Sequence, residues 1–214
     1  MRRATAPSKR RTLLAPAARR DQLLAAAVWV FARKGYRHAQ ISDIIARANV
    51  ARGTFYLHFD SKERIFLAIV EDFHSGITRA FQAMDLAAVT AGTAEPRAVL
   101  KASFKSWLQF FAGHRDAALV VLREAGAIDP RFEEGFQSLR RVALMRFANR
   151  FRRFQQLGMA RPSIDPDLVA HLQLGMFDQL LNGFVLRDQS VDLDQLADRL
   201  ADFEWNGIRP EPVA

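Results

Sequence analysis

The stretch from residue 41 to 62 constrains this chain more than any other. Ile44, Ile45 and Ala48 fall on one face at helical spacing, and Asn49 stands where that short helix must stop. Asparagine enters the left-handed backbone region more readily than most non-glycine residues, so it suits a helix C-terminus. Ser42 is expected to cap the start of this helix by accepting a bond from a free backbone N–H. Val50 follows as an apolar plug. A second short helix, about Arg52 to His58, carries Arg52, Gly53, Thr54, Tyr56 and His58 around the anchors Phe55 and Phe59. Asp60 and Glu63 are spaced as in a capping box, opening a third helix. Two short helices joined by a tight turn are the minimal device for laying one helix in a DNA major groove. The outer face of the second helix is small, polar or basic, as a groove-reading face requires.

Charge is distributed to match. The net charge is +8, yet residues 1–64 hold 14 Lys+Arg against 4 Asp+Glu, and the remaining chain is slightly acidic. A basic front end joined to a near-neutral remainder suits a nucleic-acid module attached to something else. The chain has no cysteine, which excludes disulfides, thiolate zinc sites and cysteine nucleophiles. Five histidines, His38, His58, His74, His114 and His171, show no metal-ligand spacing, and no phosphate-loop, dinucleotide or nucleophile-elbow motif is present. No catalytic residue, metal or cofactor is therefore expected. The longest apolar stretch, residues 166–187, contains His171, Asp178 and Arg187, which argues against a lipid-facing span.

The order Ile44-Ile45-Ala46 to Val50, then Gly53-Thr54-Phe55-Tyr56, then Phe59 and Ser61-Lys62-Glu63, resembles the TetR family of bacterial transcriptional regulators. Asn49 stands where that family usually has glycine, and Ala51 where serine or threonine commonly caps the recognition helix. The resemblance implies that Ser42, Arg52, Gly53, Thr54, Tyr56, His58 and Lys62 approach DNA. It also implies a C-terminal domain that binds an effector and dimerises through its last two long helices, with an inverted-repeat operator as the DNA partner and a cytoplasmic, nucleoid-associated location.

Helical periodicity continues to the end, and no strand-like alternation occurs. The reading is all-α, with about nine helices. Residues 1–16, rich in arginine and lysine, form a basic arm expected to be disordered without DNA. It is either a minor-groove grip or a solubilising tail. Residues 17–64 form the DNA-binding domain, its first helix running to Gly35, and residues 65–214 the effector and dimerisation domain. A long helix from Ser61 to about Met84 joins the two, followed by a loop over 85–96. Further helices are expected to end at Gly113, Gly126 and Gly158, with later ones capped by Asp165 and by Asp192 or Asp194.

In the second domain, Trp107, Phe111, Phe147, Phe177, Asp178 and Asn182 are the candidate pocket for a small apolar or amphipathic effector; ordinary core packing explains each aromatic singly. Arg140 and its neighbours up to Arg153 either receive an anionic head group or form a solvated face. Leu172, Met176, Gln179 and Phe184, with Leu196, Leu200 and Phe203, are the candidate homodimer face. The leading expectation is a ligand-released repressor. The alternative is a DNA-organising or partner-binding protein that uses the same domain without an effector.

Overall fold

A computed structural model describes residues 15–82, 95–128, 130–186 and 190–210. Of the expected arm over 1–16, residues 1–14 fall outside them, as does the expected loop over 85–96 up to residue 94. Among the described residues there are nine α-helices and no strand: α1 Pro16–His38, α2 Ile41–Ala48, α3 Arg52–Tyr56, α4 Lys62–Gln82, α5 Pro96–Gly113, α6 Arg115–Ile128, α7 Pro130–Gln156, α8 Pro166–Leu180 and α9 Leu193–Ile208. A π-helical turn, Leu181–Val185, prolongs α8.

Local chemistry explains most boundaries. Helices α1, α5 and α8 open on Pro16, Pro96 and Pro166, where the missing N–H costs nothing and φ is already helical. Asp165 accepts from the first free N–H groups of α8, as expected, and for α9 the cap is Asp192 rather than Asp194. Gly35 adopts φ +73° and breaks α1, after which one further turn reaches His38. The expected stop at Gly126 does not occur, since α6 continues to Ile128. Helix α4 runs through Gly76 unbroken. A Cβ there would collide with the Phe110 ring, so the glycine lets α5 approach α4 closely.

One continuous core threads the molecule. Leu23, Ala27, Phe31, Ile44, Phe55 and Phe66 pack the first four helices together. Phe73, Leu100, Phe104, Phe151 and Phe154 continue it among α4, α5 and α7. Helix α9 lies along α5, α8 along α7, and α6 packs on both α1 and α4. Arg97, Lys101 and Lys105 of α5 pair with Asp194, Asp198 and Asp202 of α9 at 2.6–3.2 Å, which sets the register of these two helices. No helix among the described residues is long and apolar enough to cross a membrane.

Candidate nucleic-acid interface

Helix α2 ends because Asn49 takes the left-handed conformation, φ 51° and ψ 50°. That reversal sends the chain through Val50 into α3. Ile44, Phe55 and Phe59 are buried and hold α2 and α3 on α1 and α4. Burying three such side chains stabilises the small unit by about 1.5–3 kcal/mol each. The opposite face of α3 is left to solvent: Arg52, Gly53 and Tyr56 are exposed, and Thr54 and His58 are half-buried. The Arg52 guanidinium rests 5.8 Å from the centre of the Tyr56 ring. A Cβ on Gly53 would meet nothing within 4 Å, so internal packing does not require glycine there. An open groove of about 750 Å³ separates α2 from α3, lined by Gln40, Ser42, Ala46, Asn49, Arg52 and Tyr56 among others.

Three details of this stretch differ from the sequence reading. Ser42 does not cap α2. The helix starts two residues earlier, with Gln40 as its cap, and the Gln40 N–H donates to the Asp43 carboxylate at 3.0 Å. Ser42 stands exposed, its hydroxyl donating to Gln40 Oε1 at 3.3 Å. Lys34 at 2.6 Å and the Gln40 N–H hold the Asp43 carboxyl below the usual carboxylate range. For α4 the cap is Ser61, whose Oγ accepts from the Arg64 N–H, rather than Asp60. Lys62, expected to approach DNA, lines the groove beside Arg52 and Tyr56 and turns its ammonium to the chain's own backbone. Its ammonium donates to the carbonyls of Tyr36 and Ala39 at 2.8 and 2.9 Å and lies 4.4 Å from the Tyr36 ring. It closes the carbonyl ends left free where α1 breaks at Gly35. Ala51, as its side chain dictates, gives α3 no side-chain cap. Leu57, 83% exposed at the end of α3, was not singled out from the sequence, where it reads as one more apolar residue.

Away from this face, Trp107, Phe111, Phe177 and Asp178 do come together. They line a cavity of about 70 Å³ with Phe73 and Ile77 of α4. The Trp107 and Phe177 rings meet at a tilt of 37°, 4.2 Å between ring centres. Arg140 closes one side, pairing with Asp178 at 2.7 Å. Two expected members are elsewhere. Phe147 stands outside the lining, 5.4 Å from Phe177. Asn182 is exposed and donates to the Asp178 backbone carbonyl, because the π-helical turn begins beside it. Of the other arginines of α7, Arg150 binds Glu204 in the interior at 2.9 Å, and Arg152 binds Asp167 at the surface.

Of the residues assigned to a subunit contact, Leu172 and Phe203 are 65% and 73% exposed, and Gln179 is also exposed. Met176 and Leu196 are half-buried against the core. Leu200 is a correction: it is buried within its own chain, because α9 turns that face onto α5. The Phe184 side chain lies outside those described. Leu168, one turn before Leu172, is 55% exposed beside it. Among the described residues no group of three His, Cys, Asp or Glu could hold a metal ion.

Comparison with known proteins agrees with this geometry. Residues 23–69 match the family described as bacterial regulatory proteins, tetR family. The chain is 26% identical over 187 residues to the fatty acid metabolism regulator protein of Bacillus subtilis, covering 87% of this chain and 94% of that one. The solved structure of a tetR-family regulatory protein from Rhodococcus RHA1 superposes with a TM-score of 0.72 at 21% identity, over 91% of this chain and 98% of that one. The fatty acid degradation regulator FadR from Bacillus halodurans superposes with a TM-score of 0.71 at 23% identity, over 90% and 97%. With its helix-turn-helix and its all-helical fold, the chain carries the DNA-binding domain of the tetR family of bacterial regulatory proteins over residues 23–69.

Proposed function

We propose that this regulator acts as a cytoplasmic homodimer that represses transcription from an inverted-repeat operator and is released by a small, largely apolar effector. Residues 17–64 are the reader, 65–214 the sensor and dimer unit, and the basic arm at 1–16 an auxiliary grip. The observation that carries the reading is the exposed face of α3. Arg52 reads guanine edges or binds phosphate, Gly53 lets DNA approach the backbone, and Thr54, Tyr56, His58 and Ser42 supply hydroxyl or ring donors to base edges and phosphates. Lys62 contributes as a brace, through its carbonyl bonds. Leu168, Leu172, Gln179 and Phe203 form the patch for the second subunit. Two reader helices held roughly 34 Å apart match half-sites one DNA turn apart.

The apolar cavity supports the effector class. Its aromatic walls, with the Arg140–Asp178 pair at one side, suit a lipophilic tail with one polar group. The relatives named for fatty acid metabolism and degradation point the same way. At about 70 Å³ the cavity is far below the 300–1,000 Å³ or so that ligand sites usually offer. Binding therefore has to expand it. Phe73 and Ile77 of the wall belong to α4, whose first turn carries the Lys62 brace, so expansion at one end displaces the reader at the other. The same small volume favours the alternative, a DNA-organising protein without an effector.

The test combines DNA binding with native mass spectrometry. The dimer should prefer an inverted repeat over random duplex, with affinity falling steeply as salt rises. Arg52→Ala should lose affinity without unfolding. A copurified lipophilic molecule, one per subunit or per dimer, supports the effector reading. No preference over random duplex would overturn sequence-specific regulation.

A further inference from the structure

We infer that Asp116, on the sensor side of the molecule, is a positioning residue for the DNA reader, acting through a strap of side chains over the outside of α1. The strap begins in the first turn of α6, where the Asp116 carboxylate accepts from Arg33 Nη1 at 2.9 Å. The Arg33 guanidinium lies 4.4 Å from the centre of the Trp29 indole and also donates to the Trp29 carbonyl at 3.2 Å. Arg47, in the last turn of α2, lies 4.6 Å from the same indole. Four side chains thus connect α6, α1 and α2 in sequence.

The electrostatics give Asp116 its leverage. An indole attracts one guanidinium through its negative face, but two cations on one ring repel each other. Asp116 offsets the charge of Arg33 and so lets Arg47 remain on Trp29. Remove that carboxylate, and Arg33 and Arg47 compete without a counter-ion. Helix α2 has two further ties to α1: Gln22 donates to the Ala48 carbonyl at 2.8 Å, and Lys34 pairs with Asp43 at 2.6 Å. Both stop at α1, whereas the Trp29 stack continues to α6.

The α6 end is itself fastened to the sensor. Arg115 Nε donates to the Leu186 carbonyl at 3.0 Å, and the Leu186 N–H donates to the Leu181 carbonyl at 2.9 Å. Leu181, with Val121 and Leu122 of α6, lines the small cavity. A shift of that wall therefore reaches α2 by a route separate from the α4 rod. The inference rests on the reading of α2 and α3 as the DNA-contacting pair, which Arg52→Ala tests on its own.

The experiment uses the full chain and a duplex enriched from a random library by the wild-type protein. Asp116→Asn, Asp116→Glu, Trp29→Leu and Asp116→Asn with Trp29→Leu are compared by fluorescence anisotropy. Asp116→Asn should weaken binding about three- to fivefold, the reach of an exposed ion pair. Asp116→Glu should return it to near wild type. In the Trp29→Leu background Asp116→Asn should have no further effect. Amide exchange at residues 46–48 should quicken in Asp116→Asn while the melting temperature falls by no more than about 4 °C. Equal loss in both backgrounds, or no loss in either, overturns the strap. If Arg52→Ala also leaves binding intact, the reading of the DNA face fails instead.

Discussion

Lys62 separates two roles that its position in the family pattern runs together. If its ammonium is chiefly a phosphate contact, Lys62→Met should leave the fold intact and make DNA binding less salt-dependent. If it is chiefly a brace, the fold should suffer first. The structure favours the brace. The ammonium donates to two carbonyls, of Tyr36 and Ala39, at 2.8 and 2.9 Å, in a half-buried setting. Each hydrogen bond to a charged group contributes about 1.5–3 kcal/mol, but one ammonium serves both, so the two do not add fully. A loss of about 2–3 kcal/mol follows, since the methionine chain keeps the apolar contact and removes both of these bonds. For a chain of this size each kcal/mol lowers the melting temperature by about 2–4 °C, giving a fall of about 4–12 °C. Calorimetry measures this directly, and a salt titration of DNA binding supplies the contrast. An unchanged melting temperature, with a salt slope shallower by about one unit, would refute the brace and return Lys62 to the phosphate backbone.

Gly53→Ala should leave stability unchanged or raise it by up to about 1 kcal/mol, because the added Cβ meets no protein atom, while DNA affinity falls; a thermal melt beside an anisotropy titration checks both. Leu172→Glu with Phe203→Glu should turn a dimer into monomers in sedimentation while helicity is retained, because both side chains are exposed in the single chain. Burial pushes the Glu204 carboxyl above its ordinary 4.5, with Arg150 and Gln173 opposing in part. A raised value in the folded state means the contribution to stability is full below 4.5 and is lost as pH rises through the folded value. The stability of the wild type relative to Glu204→Gln should therefore decline as pH rises from the acid side. A gap that grows in favour of the wild type in chemical unfolding would contradict this sign.

Much of the reader was legible in residue order because its determinants lie within a few residues of one another. Asn49 ends α2 through its own backbone preference, and Asp165 and Asp192 cap the helices that follow them directly. Ile44, Phe55 and Phe59 announce their burial by helical spacing. The choice of Gln40 over Ser42 as the α2 cap escaped notice, because Lys34 and Asp43 help decide where that helix starts.

The sensor was legible in composition and only partly in arrangement. Periodicity marks both Leu200 and Phe203 as apolar positions of α9, yet one is buried on α5 and the other is exposed. The aromatic set of the cavity was identified in part, with Phe147 set behind its wall and Asn182 swung out by the π-helical turn. Sequence alone determined the helix-turn-helix, the all-helical class and the basic front end, since each follows from local propensity, spacing or charge. Tertiary structure alone decided that Lys62 braces carbonyls 23 and 26 residues earlier, and that Asp116 meets Arg33 across 83 residues. Those pairings depend on how whole helices pack, and no spacing along the chain encodes a partner that distant.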